Sequence, residues 1–312
     1  MDPRKCFVTA SVVIALGIAG IVWFVSHQLR LPRCDEVLEV AFSRPDMSRW
    51  DEFASEIPEE VYVGLSDGTA VEKLTRSRDE TENLEPTWSP DGTRIAFQSA
   101  RTGEYLDAST KYEIFVTDED GSRESRVTRV EGGVYDEQPD WSPDGRWIAF
   151  SRSIRRDADV WVMAPDGTAQ RMIAGGPNDE IEPSWSPDSD RIAFLRGDEL
   201  WVVDADGSGE RFVTELAHRT PRWSPGGDGI VFPRGPSIYV VSAAGGEARR
   251  VEPDDPFAGH DLARPYWRED GRILFTSRAN ELWAMGPDGS NAERLGVFEE
   301  GVGGVEPEPC RD

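Results

Sequence analysis

A five-residue pattern, Trp-Ser-Pro-Asp-Gly, followed closely by a short apolar run, recurs along most of this 312-residue chain. Intact copies begin at Trp88 and Trp141, and copies with altered turn residues begin at Trp185, Trp223 and Trp267. The apolar runs that follow are 95–97, 148–150, 192–194, 230–232 and 273–275, and a sixth run, 40–42, lacks the Trp. The repeated Trp are spaced 38 to 53 residues apart, and a repeat of this length must be interpreted before any local motif.

A second pattern follows each copy. It is an aromatic or branched apolar triplet, found at 61–63, 114–116, 160–162, 200–202, 238–240 and 282–284. Five of the six triplets lead into an Asp-Gly pair, with Asp at 67, 120, 166, 206 and 288. Pro fixes φ at the first corner of a turn and Gly takes the positive-φ position, so each unit forms hairpins. Six units of four strands predict an all-β fold, a six-bladed β-propeller over residues 37–300.

The repeat resembles that of the TolB-like, WD-like propeller family, whose hallmark is Trp-Ser-Pro-Asp-Gly followed by an Ile-Ala-Phe strand. The resemblance covers residues 34 to about 296, with departures in the turns at Ser189, Gly226-Gly227 and Arg268-Glu269. Because the five Trp recur once per blade, we expect them to pack between blades instead of binding a ligand. The resemblance implies a protein that docks protein or peptide partners in the cell envelope.

Closure of the ring is left open by the sequence. The first blade lacks an obvious inner strand, and either 31–34 or the tail 307–310 could supply it. We expect the tail 301–312 to close onto the first blade. Cys34 and Cys310 bracket the propeller, and in an oxidising compartment a disulfide between them would lock this closure. Two unrelated free thiols are the alternative.

The N-terminal segment differs from the rest in charge. Residues 1–34 carry a net +3, whereas the whole chain carries -25, so the remainder carries -28 (-25 minus +3). Residues 7–25 are 19 residues without a charge, long enough for a single transmembrane helix between a tail, 1–6, and a linker, 26–36. We expect an uncleaved signal-anchor that leaves the propeller on the extracytoplasmic side of the cell membrane; a cleaved signal peptide is the alternative.

Strand alternation predicts that the longest loops share one face of the ring. The insertions 43–60, 98–112 and 151–158 fall on three successive blades and predict one thickened sector. Carboxylates precede the inner strands on the same face, and we expect a binding site for a basic peptide or Ca²⁺ there, with ordinary solvated loop charge as the alternative. The candidate residues are Glu85, Glu137, Glu182, Asp261, Asp136 and Glu180.

Catalytic motifs are scarce in this sequence. It has three His, no Gly-x-Ser-x-Gly elbow and no Cys-x-x-Cys pair, and its negative charge disfavours nucleic acid. We therefore predict a non-enzymatic, monomeric platform that binds envelope proteins or peptides and needs no cofactor. The alternatives are a propeller that senses Ca²⁺ or a small ligand, and a propeller hydrolase of the lactonase type with a metal in its channel.

Overall fold

The computed structural model divides the chain into two units, residues 1–38 and 39–312. The structure describes residues 12–18, 21–27, 39–45, 59–75, 82–100, 112–131, 133–155, 157–215, 217, 219, 221–254, 263–277, 281–297 and 303–307.

Where the sequence predicts a helix over residues 7–25, the described residues of the N-terminal unit form strands instead. Strand β1 (Val12–Ile18) pairs with strand β2 (Ile21–His27) in an antiparallel hairpin, with Ile18 opposite Ile21. The segment is rich in Val and Ile, which favour strands, and two residues, Ala19 and Gly20, stand between the strands. An uncharged run does not by itself distinguish a helix from a strand. Within the described residues we find no helix with the length and apolarity to cross a bilayer.

The second unit is a ring of six antiparallel sheets of four strands each, so the prediction of a six-bladed, all-β propeller is confirmed. We number the blades from the N-terminal side. Blade 1 contains β26 (Gly303–Pro307), β3 (Glu39–Pro45), β4 (Glu59–Leu65) and β5 (Glu72–Lys73); blade 2 contains β6 (Asn83–Trp88), β7 (Arg94–Ser99), β8 (Glu113–Asp118) and β9 (Ser125–Arg126); blade 3 contains β10 (Val134–Trp141), β11 (Ile148–Ile154), β12 (Asp157–Met163) and β13 (Arg171–Ala174). Blade 4 contains β14 (Glu180–Trp185), β15 (Arg191–Arg196), β16 (Glu199–Asp204) and β17 (Arg211–Glu215); blade 5 contains β18 (Arg222–Trp223), β19 (Gly229–Arg234), β20 (Ser237–Ser242) and β21 (Arg249–Val251); blade 6 contains β22 (Ala263–Trp267), β23 (Ile273–Thr276), β24 (Glu281–Met285) and β25 (Glu293–Val297).

Blade 1 joins the two ends of the propeller. Its inner strand is β26, which pairs antiparallel with β3 so that Pro307 lies opposite Val40 and Glu306 opposite Ala41. The inner strand therefore comes from the C-terminal side, but it is 303–307 and shares only Pro307 with the predicted segment 307–310. Residues 31–34 lie outside the described residues.

The Ser-Pro-Asp-Gly turn is held by its own side chains. Ser89 Oγ donates to Asp91 Oδ1 at 2.6 Å and accepts the Arg94 N–H at 2.9 Å. Gly92, at φ +63°, donates its N–H to the Ser89 carbonyl. Where the copy in blade 5 reads Gly-Gly in place of Asp-Gly, Asp228 takes over and accepts from Ser224 Oγ at 2.8 Å. The altered copy thus keeps the hydroxyl-to-carboxylate bond that closes the turn.

The core consists of apolar layers between neighbouring blades, and a repeat Trp lies in each of five of these layers. Trp88 packs among Val61 of blade 1 and Phe97 of its own blade. Trp141, Trp185, Trp223 and Trp267 occupy the same place between blades 2 and 3, 3 and 4, 4 and 5, and 5 and 6. Trp88, Trp141, Trp185 and Trp223 are buried and Trp267 is half-buried, so these large rings act as spacers that set the angle between sheets.

The Asp-Gly turns connect each third strand to its fourth strand and touch the preceding blade. Gly167, at φ +83°, lies so close to that blade that a Cβ on it would be 2.0 Å from the Val127 carbonyl oxygen. At the ring closure, a Cβ on Gly68 would be 2.4 Å from the Val297 carbonyl oxygen. Gly is therefore required here both for its backbone angle and for the close approach of neighbouring blades.

Candidate functional site

The end of the ring that carries the predicted insertions is only partly described. The middle parts of 43–60 and 98–112 lie outside the described residues. The third predicted insertion, 151–158, is a longer hairpin instead of a loop, since β11 and β12 stay paired as far as Ile154 opposite Asp157. Its alternating residues extend the sheet of blade 3 and expose Ile154 at 43%.

Three inner strands share a backbone irregularity at this end. Glu85, Gln138 and Glu182 have φ of 49°, 55° and 56°, and each stands before a Pro at a break in the pairing register. Bulges of this kind re-aim side chains at the rim of a sheet. The residue of blade 3 that matches Glu85 and Glu182 is therefore Gln138, and Glu137 lies one position earlier on the strand. We selected Glu137 from the sequence because it is acidic, and the position of the bulge at Gln138 could not be seen from residue type alone.

Side chains link these three positions across blades. The Gln138 N–H donates to Gln98 Oε1 at 2.7 Å, and the Glu182 N–H donates to Gln138 Oε1 and to Ser151 Oγ, each at 3.1 Å. Ser151 Oγ in turn donates to Gln138 Oε1 at 2.8 Å. These hydrogen bonds connect blades 2, 3 and 4 and hold their inner strands in place at the mouth of the ring.

Carboxylates crowd together between blades 2 and 3. Glu137 is half-buried, and burial, with a contribution from neighbouring Asp136, raises the pKa of its carboxyl above the ordinary value. The Tyr112 hydroxyl donates to Glu82, and burial together with Glu82, Glu137 and Glu59 raises the pKa of Tyr112. This edge of the mouth therefore concentrates negative charge in partly desolvated surroundings.

Asp136 and Glu180 play a different part from the other predicted acids. Both are fully buried, and each is paired with an arginine of the second strand of its own blade. Arg152 Nε and Nη2 donate to Asp136 at 2.6 and 2.8 Å, and Arg196 Nε donates to Glu180 Oε1 at 2.6 Å. The arginines also stack on the third-strand Trp of their blades. These two carboxylates thus tie strands together inside the blades and are not exposed at the mouth.

The inner strands also carry an ion pair that the repeat pattern did not predict. Asp140 is buried; its Oδ2 accepts the Trp185 N–H at 2.6 Å, and its Oδ1 lies 3.6 Å from Arg222 Nη1. Burial raises the pKa of Asp140, while Arg222 and the Trp185 N–H oppose that shift. Asp140 and Arg222 belong to blades 3 and 5, so this pair spans blade 4 on the axial side of the ring. Both residues directly precede a repeat Trp, and this shared position was the available signal.

The remaining predicted residues take no part in these contacts. Asp261, Cys34 and Cys310 are outside the described residues. In the part of the chain that the structure describes, no group of three or more His, Cys, Asp or Glu side chains is arranged to hold a metal ion.

The structure is a β-propeller of six four-stranded blades. A C-terminal strand closes the ring, and Ser-Pro-Asp-Gly turns recur between the first and second strands of the blades, as in the family that the sequence resembles. Comparison with known families agrees: residues 104–301 match the model of PD40, the TolB beta propeller domain. The chain belongs to this family, and the predicted resemblance is confirmed.

Individual proteins are similar over shorter stretches. A protein TolB homolog of Chlorobium luteolum is 32% identical over 136 residues, which cover 44% of this chain and 28% of the relative. The uncharacterized peptidase YuxL of Bacillus subtilis is 33% identical over 35% of this chain and 16% of its own length. This chain thus matches less than a third of either relative. The crystal structure of TolB from Acinetobacter baumannii superposes with a TM-score of 0.67 at 18% identity, covering 88% of this chain and 67% of that one, which shows the shared fold.

Proposed function

We propose that this protein is a non-enzymatic platform that binds protein or peptide partners in the cell envelope. The resemblance to TolB supports the location and the kind of partner. The observation that carries the proposal is the asymmetry of the ring. One end consists of short turns that are held by hydrogen bonds of their own side chains, and the other end carries loops of uneven length. A rigid scaffold with variable loops at one end is the usual arrangement for recognition.

The contact surface we propose is the mouth at the loop end, on the side of blades 1 to 4. Glu85 and Glu182 are held there by the bulged inner strands, and Glu137 and Glu82 add charge between blades 2 and 3. An acidic rim of this kind attracts a basic peptide. The loops 43–60 and 98–112 supply the remaining contact area in this proposal.

We also propose that the apolar segment 7–25 holds the protein at the membrane, with the propeller on the extracytoplasmic side. Its 19 uncharged residues support membrane association. Carbonate extraction of membranes from cells that make the intact chain tests this proposal. We expect the protein in the pellet, and recovery in the supernatant would contradict it.

Capture experiments test the platform. The intact chain is immobilised and exposed to detergent-solubilised envelope extract, next to variants in which 43–60 or 98–112 is shortened and a control, Glu269→Ala, on an exposed turn at the opposite end. We expect the shortened variants to lose specific partners that the control retains. Equal recovery by all variants would remove the chosen surface.

Calcium binding at the same mouth is a second candidate: Glu82 and Glu137 both act on the Tyr112 hydroxyl, and the described residues alone do not complete a set of three such ligands. Calcium prefers several carboxylate oxygens. Thermal unfolding with and without millimolar Ca²⁺ tests it, with Glu85→Gln/Glu137→Gln/Glu182→Gln as the comparison. A Ca²⁺-dependent rise of Tm that the triple variant lacks is expected, and identical curves would exclude the site.

A further inference from the structure

A groove on the outer wall of the ring lies between blades 4 and 5. It has a volume of about 630 Å³, within the usual range for ligand sites. Blade 4 lines it with part of β17, where Val213 lies, and blade 5 lines it with Arg234 and with the turn that ends at Ala248. Two arginines on this side of blade 5 lack the acidic partners that their counterparts in other blades have.

The two arginines, Arg234 and Arg250, lie on the same face of blade 5. Residues directly opposite one another on paired strands share a face of the sheet, and so do alternate residues of one strand. Arg234 is two positions after Phe232, which lies opposite Tyr239. Tyr239 in turn lies opposite Arg250. Phe232 and Tyr239 pack with Val213 of blade 4 in one apolar cluster, so this face borders the groove.

The arginine that ends the second strand has two acidic partners in blade 4 and neither of them in blade 5. In blade 4 it is Arg196, which donates to Glu180 and to Glu210. The position of Glu180, five residues before the repeat Trp, holds His218 in blade 5, and His218 lies outside the described residues. The position of Glu210, two residues before the partner of the third-strand aromatic, holds Ala248. Neither replacement carries a carboxylate.

Arg234 is the blade 5 arginine that has lost these partners. Its guanidinium stacks on the Tyr239 ring at 5.3 Å, and within the described part of the chain it forms no ion pair. Glu215 and Glu247 also line the groove, but at exposed positions where solvent screens their charge. Because Arg234 is half-buried, its charge acts on a group in the groove with less screening.

The outer-strand cation opposite the third-strand aromatic has also lost its acid in blade 5. In blades 1, 2 and 6 this cation pairs with an acid two residues before the aromatic; the pairs are Lys73 with Glu60, Arg126 with Glu113 and Arg294 with Glu281. In blade 5 the matching residues are Arg250 and Ser237, and Arg250 Nε donates to Ser237 Oγ at 3.0 Å. Arg250 also pairs with Glu252 at 2.8 Å, but both side chains are more than half exposed, and such pairs are weak. This face of blade 5 therefore carries an excess of positive charge.

We propose that the groove binds an acidic side chain of a partner polypeptide, whose carboxylate pairs with Arg234 in the place that Glu210 takes beside Arg196. The inference rests on the proposed platform function and adds a second contact surface to it. A carboxylate suits the site because the equivalent arginines of blades 3 and 4 both bind one. Charge-assisted hydrogen bonds from a guanidinium to a carboxylate are strong and directional. Arg250 adds positive charge on the same face, which favours an anion over a cation.

Returning the missing acid to blade 5 tests the proposal, because Ala248→Glu supplies the groove with a carboxylate of the chain itself. A random peptide library displayed on phage is panned against the intact protein. The enriched peptides are synthesised with amidated C-termini, so that only side chains carry carboxylates, and we expect them to share an Asp or Glu. Their affinity, measured by fluorescence anisotropy, should fall by about tenfold or more with Arg234→Gln and with Ala248→Glu, since one hydrogen-bonded charge pair is lost.

Arg249→Gln is the matched control. Arg249 is an exposed arginine next to Arg250 on β21, but its side chain lies on the opposite face of the sheet, so we expect an unchanged affinity. Ala248→Glu should keep or raise Tm, because the new carboxylate pairs with Arg234 as Glu210 pairs with Arg196. A loss of binding in this variant is therefore separate from a loss of folding.

The peptide side of the pair is tested in the same way. Replacing the shared Asp or Glu by its amide should weaken binding to the wild type and remove the difference between the wild type and Arg234→Gln. If no peptide is enriched, or if the enriched peptides bind Arg234→Gln and Ala248→Glu as tightly as the wild type, the groove is not the site. Because the loops at the mouth are unchanged in these variants, that failure would leave the platform function standing.

Discussion

At the scale of single residues, the second-strand arginines show how a charge is accommodated inside a blade. Arg152 is only 13% exposed, is paired twice with fully buried Asp136, and lies over the Trp161 ring at 4.9 Å. A buried pair of this kind is costly to break because removing one member leaves the other uncompensated. The same arrangement recurs with Arg196 and Glu180, so it belongs to the framework of the ring.

The first prediction concerns this pair. Arg152→Gln should lower the free energy of unfolding by about 3–5 kcal/mol, since it leaves Asp136 charged and buried. The control is Arg146→Gln, which removes a pair with Asp144 whose arginine is 80% exposed and should cost no more than about 1 kcal/mol. Urea unfolding measures both. Equal losses in the two variants would show that burial does not decide the value of the pair.

The second prediction concerns Glu137 and pH. Its folded-state pKa lies above the ordinary value of 4.5, so the folded state binds the proton more tightly than the unfolded state. This contribution to stability is present below that value and is lost as the pH rises through the folded-state pKa. Glu137→Gln should therefore raise Tm relative to the wild type at pH 7 and change it little near pH 4. A variant less stable than the wild type at pH 7 would contradict the assignment.

At the scale of the element, the Asp-Gly turns serve as contacts between blades. Asp166 Oδ1 accepts the N–H and the hydroxyl of Thr168, which lowers the pKa of Asp166, while Gly167 lies against Val127 of the preceding blade. The turn is therefore both a hairpin and a docking point, and its Gly satisfies two separate requirements.

A third prediction separates these requirements. Gly197 has a φ of +58° with no atom within 4 Å of its would-be Cβ, so Gly197→Ala should cost only about 1–2 kcal/mol for the backbone angle. Gly167→Ala adds a clash with backbone and should cost about 1–3 kcal/mol more. Chemical denaturation of both variants gives the difference. Equal losses of unfolding free energy in the two variants would mean that the neighbouring blade moves away from this turn without resistance.

The closing strand carries the fourth prediction. Removing residues 303–312 exposes the edge of β3, so we expect a large drop in Tm and a tendency to associate. Removing only 308–312 leaves β26 in place and is the control. A synthetic peptide covering 299–312 should restore part of the Tm of the long truncation. If both truncations melt alike, β26 does not hold the ring.

Much of the arrangement of strands and turns could be predicted from the sequence, because the repeat places an apolar strand in every blade and a Trp and a turn in five of the six. Two features could not. The first is the bulge, which places Gln138, and not Glu137, at the position equivalent to Glu85. The bulge depends on the pairing register of the strands, and the register cannot be read from the positions of acidic residues in the sequence. The N-terminal segment formed a hairpin where a helix was predicted, since its length and apolarity suit both and its Val and Ile content favours strands.

At the scale of the whole molecule, the ring combines a regular scaffold with local exceptions. The scaffold is the six sheets, the inter-blade Trp and the self-bonded turns. The exceptions are the uneven loops and the acidic rim at one end, and the exposed apolar residues Met172 and Phe212 on the outer strands of blades 3 and 4. Pairings such as Asp140 with Arg222 join distant blades and could not be deduced from spacing, because they depend on how the ring brings inner strands together.

The proposed contact surface is tested most directly by mapping which face of the ring touches partner proteins. The chain has 59 acidic residues, so carboxylate-directed cross-linking followed by mass spectrometry samples every face of the intact protein in envelope extract. We predict cross-links to captured proteins at the loop end, around Glu82, Glu85 and Glu137, and few at the Ser-Pro-Asp-Gly turns of the opposite end. Cross-links concentrated on those turns, around Asp91, Asp144 and Asp188, would contradict it.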